Sequence, residues 1–122
     1  MTLEEFNAFC AGFPGATRVV QWGEAHVWKV GGKVFALARA DAPELEAAVT
    51  FKCSPMAYEL LKDEPGVRPA PYLASRGLKW VQRFSDGAWD DDALSDYLRA
   101  SYRMVVAGLP KRLRLELEQG LA

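Results

Sequence analysis

His26-Val27-Trp28-Lys29-Val30-Gly31-Gly32-Lys33-Val34-Phe35-Ala36-Leu37-Ala38 is the stretch whose reading decides the fold. Two runs of β-forming residues flank a pair of glycines. A Gly-Gly connection favours a type I′ hairpin, because both central residues of that turn need positive φ. With Val30 opposite Lys33, Trp28 is expected to face Phe35 and His26 to face Leu37. Val27, Lys29, Val34, Ala36 and Ala38 then share the other side. The side with the bulky aromatics is expected to be the core.

Upstream, Thr17-Arg18-Val19-Val20-Gln21 reads as a short strand closed by Trp22-Gly23-Glu24. Before it, Thr2 and Glu5 have the spacing of a capping box, and Leu3, Phe6, Phe9 and Cys10 form one helical stripe. A helix over 2–11 follows, ended by Gly12-Phe13-Pro14-Gly15. Downstream of the hairpin, Leu45, Ala47, Val49, Phe51 and Cys53 alternate with more polar neighbours, a half-buried strand with Lys52 on its outer face. Ser54-Pro55 opens a helix as N-cap and first helical residue, and Asp63-Glu64-Pro65-Gly66 stops it. Pro65, Pro69 and Pro71 mark an irregular, stiff connection.

Tyr72-Leu73-Ala74 and Leu78–Phe84, joined by Ser75-Arg76-Gly77, read as a second hairpin. Leu78, Trp80 and Phe84 are expected on its core side, with Lys79, Val81 and Arg83 outward. Asp90-Asp91-Asp92 sets negative charge at the positive end of a helix that runs to about residue 108. Lys111 to Gln119 adds a short amphipathic turn through Leu113 and Leu117.

The chain has 122 residues, half of them hydrophobic and a quarter charged. These values fit one soluble globular domain over 1–122 and exclude a disordered or fibrous chain. No apolar run is long enough to span a membrane, and no membrane partner is expected. The acidic start, without an apolar signal core, leads to a cytoplasmic expectation. The fold class is therefore α+β. One antiparallel sheet carries helices mainly on one face, in the order helix, three or four strands, helix, two strands, long helix.

Few residues offer chemistry. Cys10 and Cys53 belong to no C-x-x-C and are expected to be small buried hydrophobes. His26 is the single histidine, which excludes His-based zinc motifs. Neither Gly-Gly nor Asp86-Gly87 opens a helix as a phosphate loop would, and no G-x-S-x-G is present. The aspartate run is read as helix capping in preference to a magnesium site. Ser101 and Tyr102 point about 100° apart on a helix with no base beside either. No catalysis, cofactor or metal is expected.

Charge is balanced in total, 15 basic against 16 acidic residues, but not locally. Residues 65–85 hold four bases and no acid, 86–96 five acids and no base, and 97–115 five bases and no acid. Proteins that bind DNA without sequence preference usually carry a basic excess, so nucleic-acid affinity here needs a local patch. The candidates are Lys29, Lys52, Lys79 and Arg83 on the face opposite the helices, with Arg76 at a turn tip. Val27, Val34, Ala36, Ala38, Ala48, Thr50, Val81 and one acid, Glu46, are expected among them. Such a face can be a solvated surface, a nucleic-acid surface, or a site for a protein partner or self-association. Of the tryptophans, Trp28 and Trp80 are assigned to the core, while Trp22 and Trp89 near loops are the ones placed to stack on bases.

Gly32-Lys33-Val34-Phe35-Ala36, Phe51-Lys52-Cys53 before Ser54-Pro55, Lys79-Trp80-Val81, Ser101-Tyr102 with Val105, and Leu109-Pro110-Lys111 occur in one order along nearly the whole chain. In these pieces the chain resembles the MmcQ/YjbR family. The resemblance implies an α+β double-wing domain, described as DNA-binding by fold analogy. At fold level it is also similar to type III secretion chaperones, which bind unfolded protein segments. It implies no catalytic residue.

Overall fold

The computed structural model describes residues 1–71, 73, 77–85 and 89–121, the last two by backbone alone. Helix α1 (Leu3–Ala11) starts at the expected capping box. The Thr2 hydroxyl accepts from Glu5 N, and the Glu5 carboxylate accepts from Thr2 N. Strands β1 (Thr17–Gln21), β2 (Ala25–Val30), β3 (Lys33–Arg39) and β4 (Ala48–Lys52) follow. Helix α2 (Pro55–Leu61) is capped by Ser54, whose hydroxyl accepts from Ala57 N. Strands β5 (Val67–Pro69) and β6 (Trp80–Arg83) precede α3 (Asp91–Ala107), where the Asp90 carboxylate accepts from Ala93 N. The aspartate run therefore begins a helix, as its position against the helix dipole implies. The last element is α4 (Lys111–Leu121), a full helix where the sequence suggests a short turn. Leu113 and Leu117 on α4 pack against the core, and that contact sustains the extra length.

The strands form one antiparallel sheet in the order β1-β2-β3-β4-β6-β5. One face meets all four helices. Phe6 and Cys10 of α1, Leu61 of α2, and Leu94, Leu98 and Tyr102 of α3 share a core with Trp28, Phe35, Phe51 and Val81. Among the described residues, no helix is long and apolar enough to cross a membrane.

The Gly-Gly hairpin forms with Val30 opposite Lys33 and positive φ at Gly31 and Gly32. A Cβ at Gly31 would also come within 2.7 Å of Leu109, so the turn and the close approach both require glycine. Beyond the first two pairs the register departs from a regular hairpin. Lys29 still faces Val34, but Trp28 faces Ala36, Val27 faces Leu37 and His26 faces Ala38. Phe35 is the extra residue of a β-bulge. Its ring lies inward with Trp28, edge-on to Phe13 and Tyr102. The bulge moves Ala36 and Ala38 to the helix side and Leu37 to the outer side. Alternation counted from the turn cannot show this, because one inserted residue reverses every side chain after it.

Three further expectations are corrected. Leu45–Ala47 are not strand residues. They lie along the start of α1, with Leu3 N donating to Leu45 O and Ala47 N to Met1 O, so Glu46 is not on the sheet face. The proline-rich connection contains β5. Pro69 fits there because β5 is an edge strand, where a missing N–H interrupts no ladder. Finally, β6 is inverted: Val81 and Arg83 face inward, while Trp80 and Gln82 face outward. Both of its sides carry apolar residues, and period-two alternation gives two sides without saying which is dry. The expected strand at Tyr72–Ala74 falls largely outside the described residues.

Ser101 of α3 links the two central strands. Its hydroxyl donates to Phe35 O at 2.6 Å and accepts from Lys52 N at 2.9 Å. The β3–β4 register ends at Ala36 opposite Phe51, so Phe35 and Lys52 would be the next pair. The hydroxyl takes the place of that rung. Ser101 is fully buried, and Ser101→Ala would strip both backbone groups of their partner. The expected cost is about 1–3 kcal/mol, read as a lower urea midpoint with the slope unchanged.

Candidate functional site

Strand alternation and the bulge decide which cations share a surface. Lys29 pairs with Val34, Arg39 with Ala48, Lys52 with Trp80 and Arg68 with Gln82, all on the outer face. Of the sequence candidates, Lys29 and Lys52 lie there. Lys79 and Arg83 do not, and Arg76 is outside the described residues.

Lys79 precedes the outward Trp80 and turns toward α2, its ammonium 4.8 Å from the centre of the Tyr58 ring. Arg83 is buried on the helix side, 5% exposed. Its guanidinium donates to Asp91 at 3.0 Å and lies 6.0 Å from the Trp89 ring centre. A cation so enclosed and paired is a structural residue.

Arg39 and Arg68 take their place on the outer face. The sequence signal for Arg39 is the arginine that an unbulged register would bury. Arg68 sits in the proline-rich segment, where no alternation is visible.

The outer face has ordered rows. Val19, Val27, Leu37, Thr50, Gln82 and Arg68 follow one another across all six strands. That row is roughly 24 Å wide at the usual strand spacing. At its polar end the Arg68 Nε donates to Gln82 Oε1 at 2.8 Å, and Gln82 Nε2 donates to Thr50 Oγ1 at 3.3 Å. The Arg68 guanidinium also lies 5.0 Å from the Phe84 ring centre.

No residue of the six strands is acidic, while seven are basic. Among the described residues, none of Lys29, Arg39, Lys52 and Arg68 forms a salt bridge. The carboxylates instead sit on the helices and connections.

A groove of about 520 Å³ runs from this face, at its Gly31-Gly32 end, to the C-terminal end of α3. Val34, Leu37 and Trp80 line it from the sheet, Leu73 and Leu78 from the β5–β6 connection, and Met104, Val105 and Gly108 from the end of α3. Lys33 and Lys52 supply its charge, and Trp22 completes the lining. Trp22 is 60% exposed. It begins three successive residues of positive φ, Trp22, Gly23 and Glu24. Left-handed backbone at a tryptophan is costly and persists where surrounding structure fixes it.

Trp28, Asn7 and His26 are joined by hydrogen bonds. The Trp28 indole N–H can only donate, and it donates to Asn7 Oδ1 at 3.0 Å. Asn7 Nδ2 then donates to His26 Nδ1 at 3.1 Å, which leaves the imidazole proton on Nε2. A cleft of about 630 Å³ beside His26 mixes Arg18 with Glu4, Glu24 and Asp41, so its charges oppose one another. Burial pushes the Cys53 thiol up to about 11 and raises that of Cys10 further. Among the described residues, no group of three or more His, Cys, Asp or Glu side chains could hold a metal ion.

The YjbR family model matches residues 11–104, a span that includes the whole sheet. This chain belongs to the YjbR family. It is 32% identical to the uncharacterized protein YjbR of Escherichia coli K12, over 98% of this chain and 99% of that one. The counterpart in Escherichia coli O157:H7 gives the same values. The crystal structure of a Deinococcus radiodurans protein with a DUF419 domain superposes with a TM-score of 0.80 at 26% identity, covering 96% of this chain and 88% of that one.

The Arg83–Asp91 contact of this YjbR-family domain has a pH signature. Asp91 also accepts from the N-terminal ammonium at 2.8 Å, which itself binds Glu46. The ammonium first, and then Arg83, hold the Asp91 carboxyl below its ordinary value of 3.8 against the opposing effect of desolvation. Folding therefore favours the anion. Its contribution is complete well above 3.8 and declines as pH falls through that value toward the depressed folded one. Asp91→Asn should show lower stability at neutral pH and a shallower loss in acid, measured by thermal melts across the pH range.

Proposed function

We propose that this domain is a non-catalytic, cytoplasmic binding module whose outer sheet face holds nucleic acid. The observation that carries this reading is a six-stranded face with Lys29, Arg39, Lys52 and Arg68 and no acidic strand residue. A polyanion meets cations there without opposing carboxylates from the strands, although the chain as a whole has a net charge of −1. Lys29 and Lys52 are half-buried beside the apolar Val34 and Trp80, which suits lysines that pack their stems and offer their ammonium groups to phosphate. The raised thiols and the doubly bonded Ser101 hydroxyl favour binding over catalysis.

Titration with oligonucleotides at several salt concentrations tests the proposal. Four phosphate contacts on duplex DNA give a slope of log K against log salt of about −3.6. Lys29→Ala with Lys52→Ala should make it shallower by about 1.8 and weaken all sequences alike. Lys79→Ala, beside Tyr58, should leave the slope unchanged. Undetectable binding at low salt, or equal effects of the two sets of substitutions, would overturn the reading. A mass that rises with protein concentration and ignores salt would favour self-association on this face instead.

A further inference from the structure

Resting on the nucleic-acid reading, we infer that the outer-face groove receives an unstacked base, so that the domain selects single strands over duplex. The groove's volume of about 520 Å³ lies within the range of small-ligand sites. Its floor and walls are apolar: Val34, Leu37, Leu73, Leu78 and Trp80. Phosphate alone cannot use such a surface.

A duplex presents phosphates and base edges, with the base faces stacked inside. It would satisfy the lysines and leave the groove unfilled. A single strand offers both a planar, sequence-tolerant base face and the phosphate beside it. Lys33 and Lys52 border the same groove and supply the cations for that phosphate. Trp22 supplies an aromatic wall. It is 60% exposed and is held at the groove by a hairpin tip in left-handed backbone. Stacking on an exposed indole buries surface that the fold itself leaves wet.

The test uses the full chain, with a homo-thymidine strand, its duplex of equal length, and an abasic strand of the same phosphate count, at one low salt concentration. The single strand should bind about 10-fold or more tightly than either of the others and quench tryptophan fluorescence. Trp22→Ala should bring it down to the level of the abasic strand and leave the duplex unchanged. Trp22→Phe should restore most of the difference. Comparing strands on the unmodified protein keeps the test valid if a variant folds poorly.

Duplex or abasic strand binding as tightly as the single strand, with no effect of Trp22→Ala, would overturn the inference and leave the nucleic-acid reading standing. No binding by any of the three would overturn both.

Discussion

One hydroxyl holds the central strands and the longest helix in register. Ser101 stands between Phe35 O and Lys52 N, at the point where β3 and β4 would otherwise form their next rung. The bulge at Phe35 directs its ring into the helix layer, and the hydroxyl meets the hydrogen-bonding needs that this break leaves. The same contact fixes the backbone of Lys52, whose side chain borders the groove on the opposite face. Core and surface are thus coupled through one buried side chain.

That coupling gives the domain two electrostatic sides. On the inner side, Arg83 is enclosed and paired with Asp91. The acidic side chains that cap or begin α1 and α3 meet helix N-termini, where their charge stabilises structure. On the other side, strands without a single acid present lysine and arginine among Val, Leu and Trp. A nearly neutral chain can therefore carry a cationic surface, because its strands hold bases and no acid while its carboxylates lie on helices and connections. Net charge is a poor guide to partners when charges are sorted in this way.

Much of the fold was legible because it depends on local chemistry. Thr2, Ser54 and Asp90 cap their helices as their side chains suggest, and the Gly31-Gly32 turn forms as drawn. The family was legible too, through short motifs in order along the chain. The candidate site was half legible. Lys29 and Lys52 lie on the outer face, but Lys79 and Arg83 face the helices, and Arg39 and Arg68 hold the positions they leave. The errors have three origins: the bulge in β3 carries Arg39 outward, both sides of β6 are apolar so alternation gives no direction for Lys79 and Arg83, and Arg68 lies in a proline-rich segment without alternation.

By itself the sequence determined the first three helices with their caps, the antiparallel hairpin and the scarcity of reactive groups, since each follows from residues close together in the chain. Only the tertiary structure decided the phase of the sheet. The bulge at Phe35, the inversion of β6 and the pairing of β5 are set by contacts with α3, Tyr102 and neighbouring strands far away in sequence. Because a shift of one residue exchanges the two faces, those distant contacts determine which charges meet water together.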